Sequence, residues 1–187
     1  LYAGLGALGL ALTPLHDVVS GIWPAAGLAL AALWTRGAWM AVGLWIGAFA
    51  INLAGAVPAG VALLLASGNT GAALAAWWML RRLDVSSRLS DVGGLVATAL
   101  VTPLLSALVG VTALTSSRMA GAGDWLAHLG IWWSGDALGL LLVAPPLLLL
   151  HERQLDLPVA RRWEAALYGL VLIAFTVWVF YSPRPYM

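Results

Sequence analysis

The sequence contains no cysteine and no lysine, and charged residues fill only 9% of its 187 positions. Without thiols, disulfides and thiolate metal sites are excluded, and the redox compartment stays open. All the cations are arginines; nine of them against eight acids leave a net charge of +1. There is no overall field to draw in nucleic acid or an acidic partner, so nucleic acid is not an expected ligand. No basic segment of the signal-peptide kind precedes the apolar opening at Leu1. The expectation is a single domain, residues 1–187, cut from a longer protein.

What is present is apolar. Hydrophobic residues make up 62% of the chain, and its mean hydropathy is +0.94. An ordinary soluble domain is about 45–50% apolar and about 25% charged. Folding in water leaves much of the surface exposed, so a chain of this size could not hide that much apolar area. Lipid removes the difficulty, and the expected fold class is an all-α polytopic membrane bundle.

A bilayer core about 30 Å thick takes ~20 apolar residues as helix, fewer where the segment is broken or re-entrant. Seven segments are predicted: Leu1–Leu12, Ile22–Trp34, Ala38–Leu53, Pro58–Leu80, Val92–Ser116, Trp125–Leu150 and Trp163–Tyr181. Pro24 falls in the first turn of the second, where its missing N–H costs nothing. Arg36, Arg81, Arg82, Arg88, Arg153, Arg161 and Arg162 follow even-numbered segments; Arg118 and Arg184 follow odd ones. By the positive-inside rule the even loops are cytoplasmic, which puts the N-terminus inside and Met187 outside. Trp34, Trp39, Trp77, Trp78, Trp125, Trp163 and Trp178 fall near predicted helix ends, where indole favours the interface. Small residues four apart, Gly43/Gly47, Gly68/Ala72 and Gly135/Gly139, mark faces where helix backbones can approach closely.

The informative residues are polar ones at membrane depth. Asp136 lies about eleven residues into the sixth segment, near mid-bilayer at ~1.5 Å per residue. A charge there costs at least ~2.5–3.5 kcal/mol, so such residues face a cavity or a partner. His128, Trp132 and Asp136 are spaced i, i+4, i+8 and share a face, with Ser134, Gly135 and Gly139 beside them. Asn69 and Thr70 sit at the same depth in the fourth segment. In the fifth, Thr98, Thr102 and Ser106 form a polar stripe that Pro103 interrupts. Singly, such hydroxyls bond their own helix carbonyls; together with Asp136 and Asn69 they predict a shared pocket. The candidate ligand-binding set is therefore Asn69, Thr70, Thr102, His128, Trp132, Ser134 and Asp136. The competing account is a protonated Asp136 making one structural interhelical hydrogen bond.

His16 and Asp17 read as a solvated outer-loop pair, and Arg81, Arg82 and Asp84 as an anchor for a cytoplasmic helix end. Gly4-Leu5-Gly6-Ala7-Leu8-Gly9 satisfies the dinucleotide-binding spacing, but no strand precedes it and its context is membrane helix. His151-Glu152-Arg153 stands at a helix exit, where polar residues are expected anyway. No metal-type histidine pair, phosphate loop or nucleophile–base set can be assembled, so neither a cofactor nor catalysis is expected in this segment.

Several stretches together resemble the first membrane-associated sensor (MASE) family. They are Gly21-Ile22-Trp23-Pro24-Ala25-Ala26-Gly27 running to Leu33; Gly47-Ala48-Phe49 with Asn52; Gly68-Asn69-Thr70 leading to Leu80-Arg81-Arg82; and Trp132-Trp133-Ser134-Gly135-Asp136-Ala137-Leu138-Gly139 running to Pro145. Two departures stand out. The family often carries an acid shortly after its Gly-Asn-Thr step, where Gly71 and Ala72 stand here, and it has about eight helices. The resemblance implies an input module in the bacterial inner membrane, joined to a cytoplasmic histidine kinase, diguanylate cyclase or phosphodiesterase domain. It implies an eighth helix after Met187, which would return the chain to the cytoplasm. The bilayer, an unidentified small molecule, the output domain of the same chain and a second copy in a homodimer are the expected partners. Two rivals are a substrate-binding subunit of a vitamin or metabolite importer and a purely structural anchor.

Overall fold

The structure is a computed structural model that describes residues 2–11, 23–83 and 92–151. Among them the chain is entirely helical: α1 (Tyr2–Ala11), α2 (Pro24–Arg36), α3 (Met40–Ala54), α4 (Ala59–Arg82), α5 (Val92–Val101), α6 (Pro103–Ser116) and α7 (Trp125–His151). Helices α5 and α6 are two halves of one apolar rod, so the described residues form six rods. The break falls at Thr102 because Pro103 has no N–H to offer the preceding turn and its ring crowds it. Thr102 closes that turn with its own N–H and hydroxyl, both donated to the Thr98 carbonyl, at 3.0 and 2.8 Å. The indole of Trp133 on α7 donates to the Leu100 carbonyl at 2.7 Å, clasping the rod just before its break.

Three rods are long and apolar enough to cross a membrane: α4, the α5–α6 rod and the stretch containing α7. Helix α3 is a shorter apolar helix of 15 residues. Helices α1 and α2, at 10 and 13 residues, fall short of the ~20 that a lone crossing needs. The expectation of seven crossing helices thus reduces to three long candidate spans among the described residues. The seventh predicted segment, Trp163–Tyr181, lies outside them, as do His16, Asp17 and Asp84.

The packing is inverted relative to a soluble protein. Buried apolar positions are dominated by alanine, with Ala25, Ala62, Ala66, Ala76, Ala99, Ala107 and Ala144 fully enclosed. Large residues such as Leu63, Leu64, Leu100, Val101, Leu104, Leu105 and Leu108 point outward. In lipid no hydrophobic gain follows from burying leucine between helices, so small residues that let backbones approach carry the contacts.

The closest approach is between α2 and α7. A methyl group on Gly27 would overlap the Gly139 carbonyl oxygen, and one on Gly139 would overlap the Trp23 carbonyl oxygen. Between them the Trp23 N–H, at the head of α2, donates to the Gly135 carbonyl of α7 at 3.0 Å. The other small-residue pairs differ among themselves. A methyl on Gly68 would lie 3.1 Å from Val109 of α6, and one on Gly47 3.4 Å from the Tyr2 side chain. Gly43 faces open space, so the Gly43/Gly47 pair is not a helix seam at its first member.

Two clusters fix the ends of the bundle. Leu30, Ala76, Leu80, Ala99, Leu140 and Ala144 pack together with Trp34 and Leu95. This groups the C-terminal halves of α2, α4 and α7 with α5. At the other end Leu65, Ala113, Leu114 and Ala120 pack with Val57, Val61, Ile131 and Trp132. Arg36, Arg81 and Arg82 therefore belong to one end and Arg118 to the other. Arg81 and Arg82 lie over the rings of Trp77 and Trp78, at 4.7 and 5.4 Å from their centroids. Cation and indole pair there, and the cations also offset the dipole at the C-terminus of α4.

Candidate functional site

Part of the predicted polar set meets in one small cavity, walled by Tyr2 of α1, Trp23 at the head of α2, Asn69 and Ala72 of α4, Thr102 at the helix break and Asp136 of α7. The room left for the centre of a water molecule is about 20 Å³, against roughly 10–15 Å³ needed to hold one water.

Asp136 is the centre of this arrangement. Its α7 neighbours Gly135 and Gly139 let α2 press close, which closes the carboxyl off: Asp136 is only 4% exposed. The Ser106 hydroxyl of α6, itself buried, donates to Asp136 Oδ2 at 2.5 Å. It also stands 2.9 Å from the Pro103 carbonyl. Asp136 Oδ1 is buried and has no hydrogen-bond partner among the described residues. The same holds for Asn69 Oδ1 and the Trp23 indole N–H, both from cavity-lining residues. One carboxyl oxygen thus makes the interhelical bond of the structural account, while the other is left over at the cavity.

The predicted residues separate into two groups. Asn69, Thr102 and Asp136 line the cavity together. Thr70, Trp132, Ser134 and His128 are not among its walls. Thr70 is buried with its hydroxyl unpaired. Ser134 donates to the Ile131 carbonyl of its own helix at 3.0 Å. Trp132 packs its six-membered ring onto Gly110 of α6, so tightly that a methyl there would overlap it. His128 lies two turns before Asp136, its Nδ1 buried and without a partner among the described residues. Thr98 and Thr102 bond carbonyls of their own helix, Gly94 and Thr98, each at 2.8 Å. Only Ser106 of that stripe reaches across.

Sequence reasoning left three contributors out of the candidate set. Ser106 had a signal, its register with Thr98 and Thr102. Trp23 stood in a motif but was read as a helix start, and nothing in the local sequence marked Tyr2. No cluster of metal-ligating side chains occurs among the described residues.

A family model, MASE1, matches residues 1–184, nearly the whole chain. The chain belongs to the MASE1 family. This makes it a multi-pass membrane sensor domain, a signal-transduction input module whose own role is non-catalytic. Comparison with curated proteins and with solved structures gives no match. Around the cavity, the MASE1 stretch Gly68-Asn69-Thr70 supplies Asn69, the Trp132–Gly139 stretch supplies Asp136, and Trp23-Pro24 supplies the indole. At the step where the family often carries an acid, Ala72 lines the cavity instead, leaving Asp136 as its one carboxylate among the described residues.

Proposed function

We propose that this domain converts occupancy of the Asp136 cavity into a displacement of its helices, passed to a cytoplasmic histidine kinase, diguanylate cyclase or phosphodiesterase domain of the same chain. The observation that carries the reading is the convergence of unpaired polar atoms from Trp23, Asn69 and Asp136, residues of three helices, at a single cavity. A ligand there touches parts of the bundle that can move relative to one another, and a stimulus shifts the balance only by binding two arrangements unequally. An importer subunit needs room for a metabolite, and the cavity offers space for little more than a water.

Asp136→Ala is the direct test. Interhelical hydrogen bonds in membranes contribute on average about 0.6 kcal/mol and at most about 1.7. Losing the Ser106 bond should therefore leave the protein inserted, with stability changed by roughly 2 kcal/mol or less. Output activity per molecule in cells should change severalfold. Altered abundance with unaltered output per molecule would remove the sensing role.

The orientation proposed is N-terminus inside, with the Arg36 and Arg81–Arg82 end in the cytoplasm, supported by the grouping of these cations at one end of the bundle. Reporter fusions at Ser87 and Ala160 should behave as cytoplasmic; periplasmic behaviour at both would invert the topology.

A further inference from the structure

We infer that the ligand of the Asp136 cavity is one water-sized positive charge, a proton on the carboxyl or a small monovalent cation beside it, and not an organic molecule. The inference rests on the sensory reading above and names the class of its stimulus.

Size comes first. With about 20 Å³ for a water-sized centre, the cavity admits one body of that dimension. A sugar, nucleotide or vitamin would have to part α2 from α7, which are in backbone contact at Gly27 and Gly139.

Charge comes second. The groups facing Asp136 are Tyr2 from α1, Trp23 from α2, Asn69 from α4, Thr102 and Ser106 from the broken rod, and Trp132 from its own helix. Among the described residues none of these is cationic, and Tyr2 is the one other titratable group. A carboxylate enclosed this way has hydrogen-bond donors but no counter-charge, and the cost of an unpaired charge at this depth is what confines such residues to partnered sites.

Donor counting comes third and fits either source. Ser106 has one hydroxyl proton and two short contacts, to Asp136 Oδ2 and to the Pro103 carbonyl. A proton on Oδ2 makes both contacts hydrogen bonds: carboxyl to hydroxyl, then hydroxyl to carbonyl. With the carboxyl ionised, a cation would find acceptors in Asp136 Oδ1 and Asn69 Oδ1, both unpaired. The hydroxyl oxygen of Thr102 is a third, because its own proton is committed to the Thr98 carbonyl.

The experiment follows thermal unfolding of the full chain in phosphatidylcholine vesicles at constant ionic strength. Choline chloride is the inert reference, and sodium, potassium and ammonium chloride are the probes. If the charge is a proton, folding takes it up, and the midpoint in choline rises as pH is lowered. The infrared stretch of a protonated carboxyl would then be present in the wild type and disappear as pH is raised. If the charge is a small cation, the midpoint at fixed pH rises by roughly 5–10 °C at a hundredfold excess over its Kd. In that case Asn69→Ala should weaken the cation's Kd about tenfold, one charge-assisted contact being worth that much, and so roughly halve the shift at the same concentration, while leaving a proton response in place. Asp136→Asn, which keeps an N–H donor for Ser106 but carries no charge, should abolish either response. The inference is overturned if wild type responds to neither pH nor cation, or if Asp136→Asn responds as wild type does. Should that variant not fold, the wild-type carboxyl stretch and the Asn69→Ala titration decide alone. Output activity is read separately. A cation or proton response without any change in output leaves the site standing and removes the sensing role. Output driven by an organic compound, with no response to proton or cation, does the opposite.

Discussion

Gly139→Ala should destabilise the domain by about 3 kcal/mol or more, seen as a lowered unfolding midpoint and reduced abundance in the membrane. Overpacking a close-packed interior costs about 1–3 kcal/mol when side chains can give way, and occasionally more. Here the added methyl meets the Trp23 carbonyl oxygen, a backbone atom, so relief requires moving α2 bodily. That motion also pulls the Trp23 N–H away from the Gly135 carbonyl. Gly27→Ala should behave alike, since its methyl meets the Gly139 carbonyl from the opposite side. Because one separation of α2 from α7 relieves both overlaps, the double variant should lose clearly less than the sum of the singles. Additive losses would show that the two glycines do not share one contact.

Gly110→Ala should cost about 1–3 kcal/mol, a smaller loss because the methyl meets the ring of Trp132, a side chain that can swing. Its effect should reach the cavity all the same. Trp132 stands one turn from Asp136 on α7, and Ser106 stands one turn from Gly110 on α6, so displacing the ring spreads the helices beside the Ser106–Asp136 bond. Asp136→Ala made in the Gly110→Ala background should therefore cost less than it does alone. Equal costs in the two backgrounds would separate the tryptophan from the carboxyl.

Much of this was legible from residue type and spacing. Six predicted segments begin or end within about two residues of observed helix bounds, because apolar runs bounded by Trp-Pro, Arg-Gly and Val-Pro leave little freedom. Pro103 announced the interrupted ladder beside Thr102, although Pro145 and Pro146 lie inside α7 without ending it. Gly139 was readable as a contact from its spacing to Gly135, yet Gly43/Gly47 has the same spacing and Gly43 meets nothing. Periodicity shows which residues share a face but does not say what lies opposite. The same limit explains the cavity. Asn69, Thr102 and Asp136 share a depth that can be counted along the chain, whereas Tyr2 and Trp23 arrive only through the packing of α1 and α2. His128 and Trp132 share a face with Asp136, but successive turns of one helix meet different neighbours: Trp132 faces Gly110, and Asp136 faces Ser106.

An interior lined with alanine and glycine has few side chains that interlock across neighbouring rods. Such surfaces are smooth, and one rod can advance along another without a rotamer having to flip. Helices α2 and α7 are pinned by a backbone hydrogen bond where their chains touch, and α7 is tied to the broken rod by the Trp133 indole and the Ser106 hydroxyl. Backbone contact thus holds α2 to α7, whereas side-chain hydrogen bonds hold the broken rod to α7, and the carboxyl of Asp136 sits where the two kinds of fastening meet.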